Sequence, residues 1–375
     1  MRVLHLRAGN LYGGVETTMV EQARYRPLSP EMELHFALCF NGRLKDELLA
    51  TGSPVDLMGE VRIRNPATIW RARRRLSELL RRKRFDVAIS HSSWEQVIFA
   101  PVVRSAGLPM VFWLHDATNG RHWLEQWARM SPPDLALCNS YFTLGHLPNI
   151  YPQTQGKVIY NPLVSTESTY SSDELAAVRA QLKTPKAAVV IIQFSRMEEW
   201  KGHALHLKAL SMLNDLPDWS CWQVGGAQRL HEVRYLEQLK QMTADLGLVD
   251  RVRFLGQRTD VRKLLAASDI HCQPNTGPEP FGNVFIEALF AGVPVVTTGI
   301  GGAKEILNEE CGLLVPKDDA SALVTALRKL IQDPSLRKKL GAVGPSRARM
   351  LCDVGTQMKR LKDVLTALTL QEVAA

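Results

Sequence analysis

The sequence predicts an α/β protein with two doubly wound parallel-sheet domains. Three observations carry that expectation. The chain has 375 residues, more than one hydrophobic core of ordinary size organises, so two domains are expected. Short and almost wholly apolar runs such as AAVVIIQFS and VPVVTT suit strands buried on both faces of a parallel sheet. Segments with apolar residues at helical spacing separate those runs, and glycines gather where a run gives way to a helix, which is the alternation such folds require.

In chain order, VLHL within residues 2–7 reads as a first strand, and AGNLYGGVETTMVEQARY as a glycine loop opening a helix. Gly13 and Gly14 sit at that turn, where free amides at a helix mouth suit an oxyanion. A tight structural turn would use the same glycines. Strands follow at MELHFALCF and near Val55 to Met58.

Arg62 to Arg84, RIRNPATIWRARRRLSELLRRKR, holds ten basic residues and one acid. On a helix beginning near Pro66, Ile69, Trp70, Leu76, Leu79 and Leu80 make an apolar stripe flanked by arginines. Such a helix docks on anionic lipid or faces a core with a solvated basic side. Nucleic acid is not an expected partner, since no RNP, KH, zinc-finger or helix-turn-helix pattern accompanies the charge.

FDVAIS ends in His91 and PMVFWL in His115, followed by Asp116. Both histidines are placed at strand carboxyl ends, where parallel sheets bind ligands. Trp123 and Trp127, four apart on a short helix, suit packing or an acceptor-side wall for a sugar ring or lipid. DLALCNS is the next strand, and KVIYNPL ends at Asn161 and Pro162. Residues 164–185 are polar and rich in Ser and Thr, so they read as the passage between domains 1–163 and 186–352.

The second domain opens on AAVVIIQFS, which delivers Arg196 and then Lys201 with Gly202 at a helix start. An arginine and a lysine five apart at such a turn can neutralise a diphosphate. DWSCWQVGG is a strand ending in Gly225 and Gly226, and RVRFLGQRTD turns at Gly256.

Ser268 to Ile306 then reads strand, loop, helix, strand, loop, helix. Glu279 and Pro280 fall in its first loop, and Glu287 falls roughly five helical residues, about 8 Å along the axis, beyond the helix mouth at Gly282. The amides of Phe281, Gly282 and Asn283 lie between the two acids. Carboxylates accept hydroxyl hydrogen bonds, which is sugar and ribose chemistry. Spacing alone also allows a two-carboxylate hydrolase, whose acids stand roughly 5–10 Å apart; the cations favour transfer.

EPFGNVFIEALFAGVPVV followed by a GG..E pattern, together with the S-R-x-x-x-x-K-G pattern around Arg196 and Lys201, resembles the retaining glycosyltransferases of family four. The resemblance implies the GT-B fold, two Rossmann-like domains facing a cleft, with residues 353–375 crossing back to the first domain. It implies a nucleotide-diphosphate sugar donor, UDP- or GDP-linked, and a glycan or lipid-linked acceptor, as in bacterial polysaccharide, lipopolysaccharide or glycolipid synthesis.

By the same resemblance Arg196 and Lys201 meet the diphosphate, Glu279 the sugar, Glu287 the ribose and His115 the far side of the sugar. Gly13 and Gly14 line the acceptor or diphosphate side, and Gly225 and Gly226 the nucleotide side. His91, Asp116, Trp123 and Trp127 are weaker acceptor-side candidates. Two other classes compete: a non-hydrolysing sugar-nucleotide 2-epimerase, which shares the plan but lacks EPFGNVFIE, and a non-catalytic sugar-nucleotide binder.

No cofactor or metal is expected. Metal-using sugar transferases carry an Asp-x-Asp loop, which the adjacent Asp318 and Asp319 do not make. The six cysteines are scattered without C-x-x-C, so neither disulfides nor a zinc site is expected. MRVLHLRAG is interrupted by arginine too early for a secretion signal. With no long apolar run, the expected location is the cytoplasm, or the inner face of the cytoplasmic membrane if the basic helix docks there. The net charge of +8 permits attraction to anionic partners.

Overall fold

Apolar runs flanked by helices on both sides pair in parallel, because a parallel sheet buries both of its faces. The computed structural model describes residues 1–164 and 170–374. Within it, Met1–Val164 and Cys352–Ala375 form one unit and Ser165–Leu351 another.

The first unit carries β1 (Arg2–Arg7), β2 (Glu33–Leu38), β3 (Val55–Leu57), β4 (Val87–Ser90), β5 (Met110–Leu114), β6 (Leu135–Cys138) and β7 (Gly156–Val158). They are hydrogen-bonded in the order β3-β2-β1-β4-β5-β6-β7, each neighbouring pair parallel. The strand order reverses between β1 and β4, and that switch point opens a crevice at the carboxyl ends of these strands. One apolar layer contains Val3, Met19, Phe36 and Trp113 and takes in Val354, Met358, Leu361 and Leu365 of the Val354–Ala374 helix. The opposite layer contains Leu4, Leu6, Leu76, Leu79 and Phe99.

The second unit carries β8 (Val189–Phe194), β9 (Trp219–Val224), β10 (Val252–Gly256), β11 (Ile270–Gln273), β12 (Val295–Thr298) and β13 (Gly312–Val315). Their order is β10-β9-β8-β11-β12-β13, so the reversal falls between β8 and β11. Register pairs His271 with Ile192 and with Val295.

Two segments differ from expectation. Of the polar stretch 164–185, residues 165–169 lie outside the described residues, but Ser172–Gln181 is a helix. Ser171 caps it, accepting from the Glu174 amide, and Arg179 ties it to Asp269 at 2.8 Å. Its periodicity is faint because Val178 alone among its residues is buried. The basic segment forms the Pro66–Arg82 helix, whose buried residues are Ala72, Leu76 and Leu79. The apolar stripe is thus divided: its carboxyl-terminal part faces the core, while Trp70 is 60 % exposed beneath the Arg74 guanidinium. Arg73 is not a surface charge of that helix, because it donates to the carbonyls of Ile98 and Val97.

Among the described residues no helix is long and apolar enough to cross a membrane. All six cysteines are buried free thiols.

Candidate active site

In the second unit the site grows from two loops that leave neighbouring strands at the β8/β11 reversal. The first, Ser195 to Gly202, runs from β8 into the His203–Ser211 helix; the second, Pro274 to Gly282, runs from β11 into the Asn283–Phe290 helix. The carbonyl of Trp200 accepts from the amides of Thr276 (2.8 Å) and Gly277 (3.2 Å), which clips the loops together. Gly202 has φ +75°, and a Cβ there would stand 1.8 Å from the Pro274 carbonyl oxygen. Glycine is required by both conformation and space.

This clip sets Lys201 against Glu279. Lys201 Nζ is 2.5 Å from Glu279 Oε2, with the two side chains 13 % and 12 % exposed. The same ammonium lies 3.8 Å from the Trp200 ring centroid, within cation–π range. Asn275 Nδ2 (3.3 Å) and Gln273 Nε2 (3.4 Å) also donate to Oε2. Among the described residues no partner falls to Oε1, which is therefore the carboxylate atom open to a ligand.

The glycines after β12 serve this loop. Gly301 (φ +64°) and Gly302 back directly onto the main chain of Glu279, Pro280 and Phe281, and the Gly302 amide donates to the Glu279 carbonyl at 2.8 Å. The space beside these two glycines is filled by the Glu279 loop. Gly282 is the left-handed N-cap of the Asn283–Phe290 helix. In its first turn the Phe285 amide donates to the Gly282 carbonyl at 3.0 Å, and the helix mouth carries the positive end of the dipole. Glu287 follows on the same helix, half-buried.

Arg196 is turned elsewhere. Its guanidinium meets Glu198 at 2.7 Å and Glu232 at 3.4 Å, and fully buried Glu232 also caps its own helix by accepting from the Gln228 and Arg229 amides. The expected two-pronged contact of Arg196 is therefore occupied by carboxylates of its own unit. Gly225 (φ +141°) packs on the Ser195 carbonyl, where a Cβ would stand at 1.8 Å, while Gly226 faces Gln257.

In the first unit, the strand-to-helix turn after β1 holds an ion cluster. Arg7 donates to Glu16 (2.7 Å) and to Glu95 (2.8 Å), and Glu95 also accepts from the Ala8 amide. The Gly13 amide is taken by Glu16 at 2.8 Å, so it is not a donor for an anion, and Gly14 begins the helix. A Cβ at Gly13 would make only an ordinary contact. Arg7, Glu16 and Glu95 were not legible from spacing, since they stand 9 and 88 positions apart; the single hint is an arginine closing an apolar strand.

His91 and His115 follow directly on β4 and β5 and are both buried. His91 Nδ1 is 3.1 Å from His115 Nε2, and His91 Nε2 is 3.0 Å from Nδ1 of His5 in β1. Burial pushes His5 and His115 down to about 3 and His91 well below its ordinary value, so all three are neutral at neutral pH. His5 lies inside the apolar run VLHL of β1, where no local pattern sets it apart. Asp116 is exposed, and Trp123 and Trp127 are exposed with ring centroids 6.4 Å apart. Asp319 caps the Ala320–Gln332 helix by accepting from the Ala322 amide at 2.8 Å. Among the described residues no group of three or more His, Cys, Asp or Glu is placed to hold a metal ion.

Residues 176–347 match the sequence model described as glycosyl transferases group 1, and residues 12–165 that described as glycosyltransferase family 4. The chain is 36 % identical over 173 residues to the lipopolysaccharide core biosynthesis glycosyltransferase LpsD of Rhizobium meliloti, covering 46 % of this chain and 47 % of that protein. It is 33 % identical over 191 residues to the phosphatidyl-myo-inositol mannosyltransferase of Mycobacterium leprae, covering 50 % and 47 %. The chain thus spans about half the length of these curated relatives. Among solved structures it is similar to Anabaena HepE in complex with UDP, with 26 % identity, a TM-score of 0.85, and 98 % of this chain and 100 % of that chain covered. The UDP-glucose complex of HepE gives 25 % identity and a TM-score of 0.86.

Proposed function

We propose, from the premise that this chain belongs to the group 1, family four glycosyltransferases and has their GT-B fold, that it moves a sugar from a nucleotide-diphosphate donor to a glycan or lipid-linked acceptor. The observation that carries the reading is the Lys201–Glu279 pair, held at a sheet switch point by two clipped loops. The relatives named for lipopolysaccharide core and phosphatidyl-inositol glycosylation support a bacterial glycolipid or polysaccharide acceptor. The UDP complexes of HepE make a UDP-sugar the first donor to test, with GDP-sugars second.

Transfer breaks the bond from the anomeric carbon to the leaving diphosphate oxygen and forms one to an acceptor hydroxyl oxygen. Negative charge grows on the diphosphate, and a preorganised cation lowers the barrier where that charge develops. Lys201 supplies the cation, with the first-turn amides of the Asn283–Phe290 helix beside it. Arg196 joins only if a ligand draws it from Glu198 and Glu232. Glu279, through Oε1, holds sugar hydroxyls and Glu287 the ribose, and His115 is a hydrogen-bond donor for the sugar nucleotide. Retention follows if the acceptor proton passes to the leaving phosphate oxygen on the face where the new bond forms. These residues meet the diphosphate charge without a divalent ion, so turnover persists in EDTA.

The test is nucleoside diphosphate release from a panel of sugar nucleotides, with and without acceptor glycolipid. A transferase releases it only when acceptor is present. An epimerase isomerises the donor alone, and a binder does neither; either result would overturn the reading.

A further inference from the structure

Three buried histidines form a hydrogen-bonded ladder across neighbouring strands of the first unit. The order β1-β4-β5 sets His5, His91 and His115 side by side. Ring centroids are 5.2 and 5.4 Å apart, with interplanar angles of 17° and 18°. His5 Nδ1 bonds His91 Nε2 at 3.0 Å, and His91 Nδ1 bonds His115 Nε2 at 3.1 Å. Trp113 lies against His91 and His115, and Phe36 against His5, all near-parallel. His5 is 0 % exposed and its Nε2 has no partner among the described residues, whereas His115 keeps 8 % exposure.

A neutral imidazole has one N–H and one bare nitrogen. With the contacts in series, the rings must all carry their proton on the same nitrogen. If that nitrogen is Nε2, His115 donates to His91 and His91 to His5, which leaves a proton on the buried Nε2 of His5 with no acceptor. If it is Nδ1, His5 donates to His91, His91 donates to His115, and the buried Nε2 of His5 is bare. A buried unpaired N–H is rarer than an under-satisfied acceptor, so the second arrangement wins. Burial and the nearby Arg7 guanidinium disfavour a charged ring, which would break the series.

We propose that His5 and His91 are positioning residues that fix His115 as its Nδ1–H tautomer, so that a neutral ring offers a hydrogen-bond donor to an oxygen of the bound sugar nucleotide. The tautomer follows from the ladder's geometry; its use on a sugar nucleotide rests on the function proposed above.

The test is a multiple-bond 15N–1H imidazole spectrum of the histidine-labelled full chain at pH 7.5. His5, His91 and His115 are expected to show the Nδ1–H pattern together. Any one of them in the Nε2–H form, or a mixture, overturns the proposal, and the native chain alone decides this. His5→Met then replaces the innermost ring with an acceptor-only thioether, which should turn both His91 and His115 to Nε2–H. Unchanged tautomers would overturn the ladder. With the tautomer reversed, turnover should fall roughly tenfold for one lost hydrogen bond. A reversed tautomer with unchanged turnover supports the ladder and sinks only the donor contact of His115.

Discussion

Lys201 and Glu279 are 78 positions apart in the chain, yet their charged atoms stand 2.5 Å apart. The pair is nearly buried, so each charge is the other's main replacement for water. Truncating one partner leaves the other uncompensated, at a cost of about 3–5 kcal/mol. Lys201→Met and Glu279→Gln should each lower the thermal midpoint, and the double variant should lose less than the two losses combined. Under the proposed function, each single variant also loses roughly a hundredfold or more in turnover. Calorimetry with steady-state assays checks both, and full turnover in either single variant would remove this pair from the chemistry.

Gly202 and Gly247 have nearly the same backbone angle, φ +75° and +68°, but only Gly202 has another loop where its Cβ would go. Gly247→Ala should cost about 1 kcal/mol, the conformational part alone. Gly202→Ala must also displace the Pro274 carbonyl and should cost roughly 3 kcal/mol or more. Denaturant unfolding of the two variants separates angle from space; equal losses would show that the Pro274 loop yields freely.

Stability should fall on mild acidification. Burial lowers His5, His115, His206 and His271 to about 3 and His203 to about 4. The unfolded chain binds these protons near pH 6.5, whereas the folded chain resists until far lower pH. The neutral forms therefore give full stability above about pH 6.5. Below it, each such histidine removes about 1.4 kcal/mol per pH unit, down to its folded value. Melting should be flat from pH 7 to 8.5 and drop steeply from 6 to 4.5. His271, both of whose ring nitrogens lack partners among the described residues, is the cleanest probe: His271→Leu should shallow the slope by one proton's worth. A flat profile down to pH 5 would contradict this account.

The exposed side of the Pro66–Arg82 helix is the surface on which membrane docking is predicted. Arg71, Arg74 and Arg81 are exposed there, beside the exposed Trp70. Arg71→Glu, Arg74→Glu and Arg81→Glu together should abolish flotation with phosphatidylserine vesicles and leave the fold intact. Arg73→Glu should instead destabilise the protein, since it would lose its bonds to the Val97 and Ile98 carbonyls. Flotation independent of anionic lipid would rule out this surface.

The sequence by itself determined the alternation of strands and helices, the two-sheet plan, the places of His91 and His115 at strand ends and those of Lys201 and Glu279 in strand-to-helix loops. Those properties are local: apolar runs, helical spacing and glycine turns act over a few residues. What the tertiary structure alone decided is which side chains meet. That Lys201 pairs with Glu279 while Arg196 goes to Glu198 and Glu232, that Gly301 and Gly302 support a loop, and that His5 belongs with His91 and His115 all depend on β1 lying beside β4 and β8 beside β11. Such adjacency is set by how apolar faces of distant segments pack, and no short window of sequence contains it.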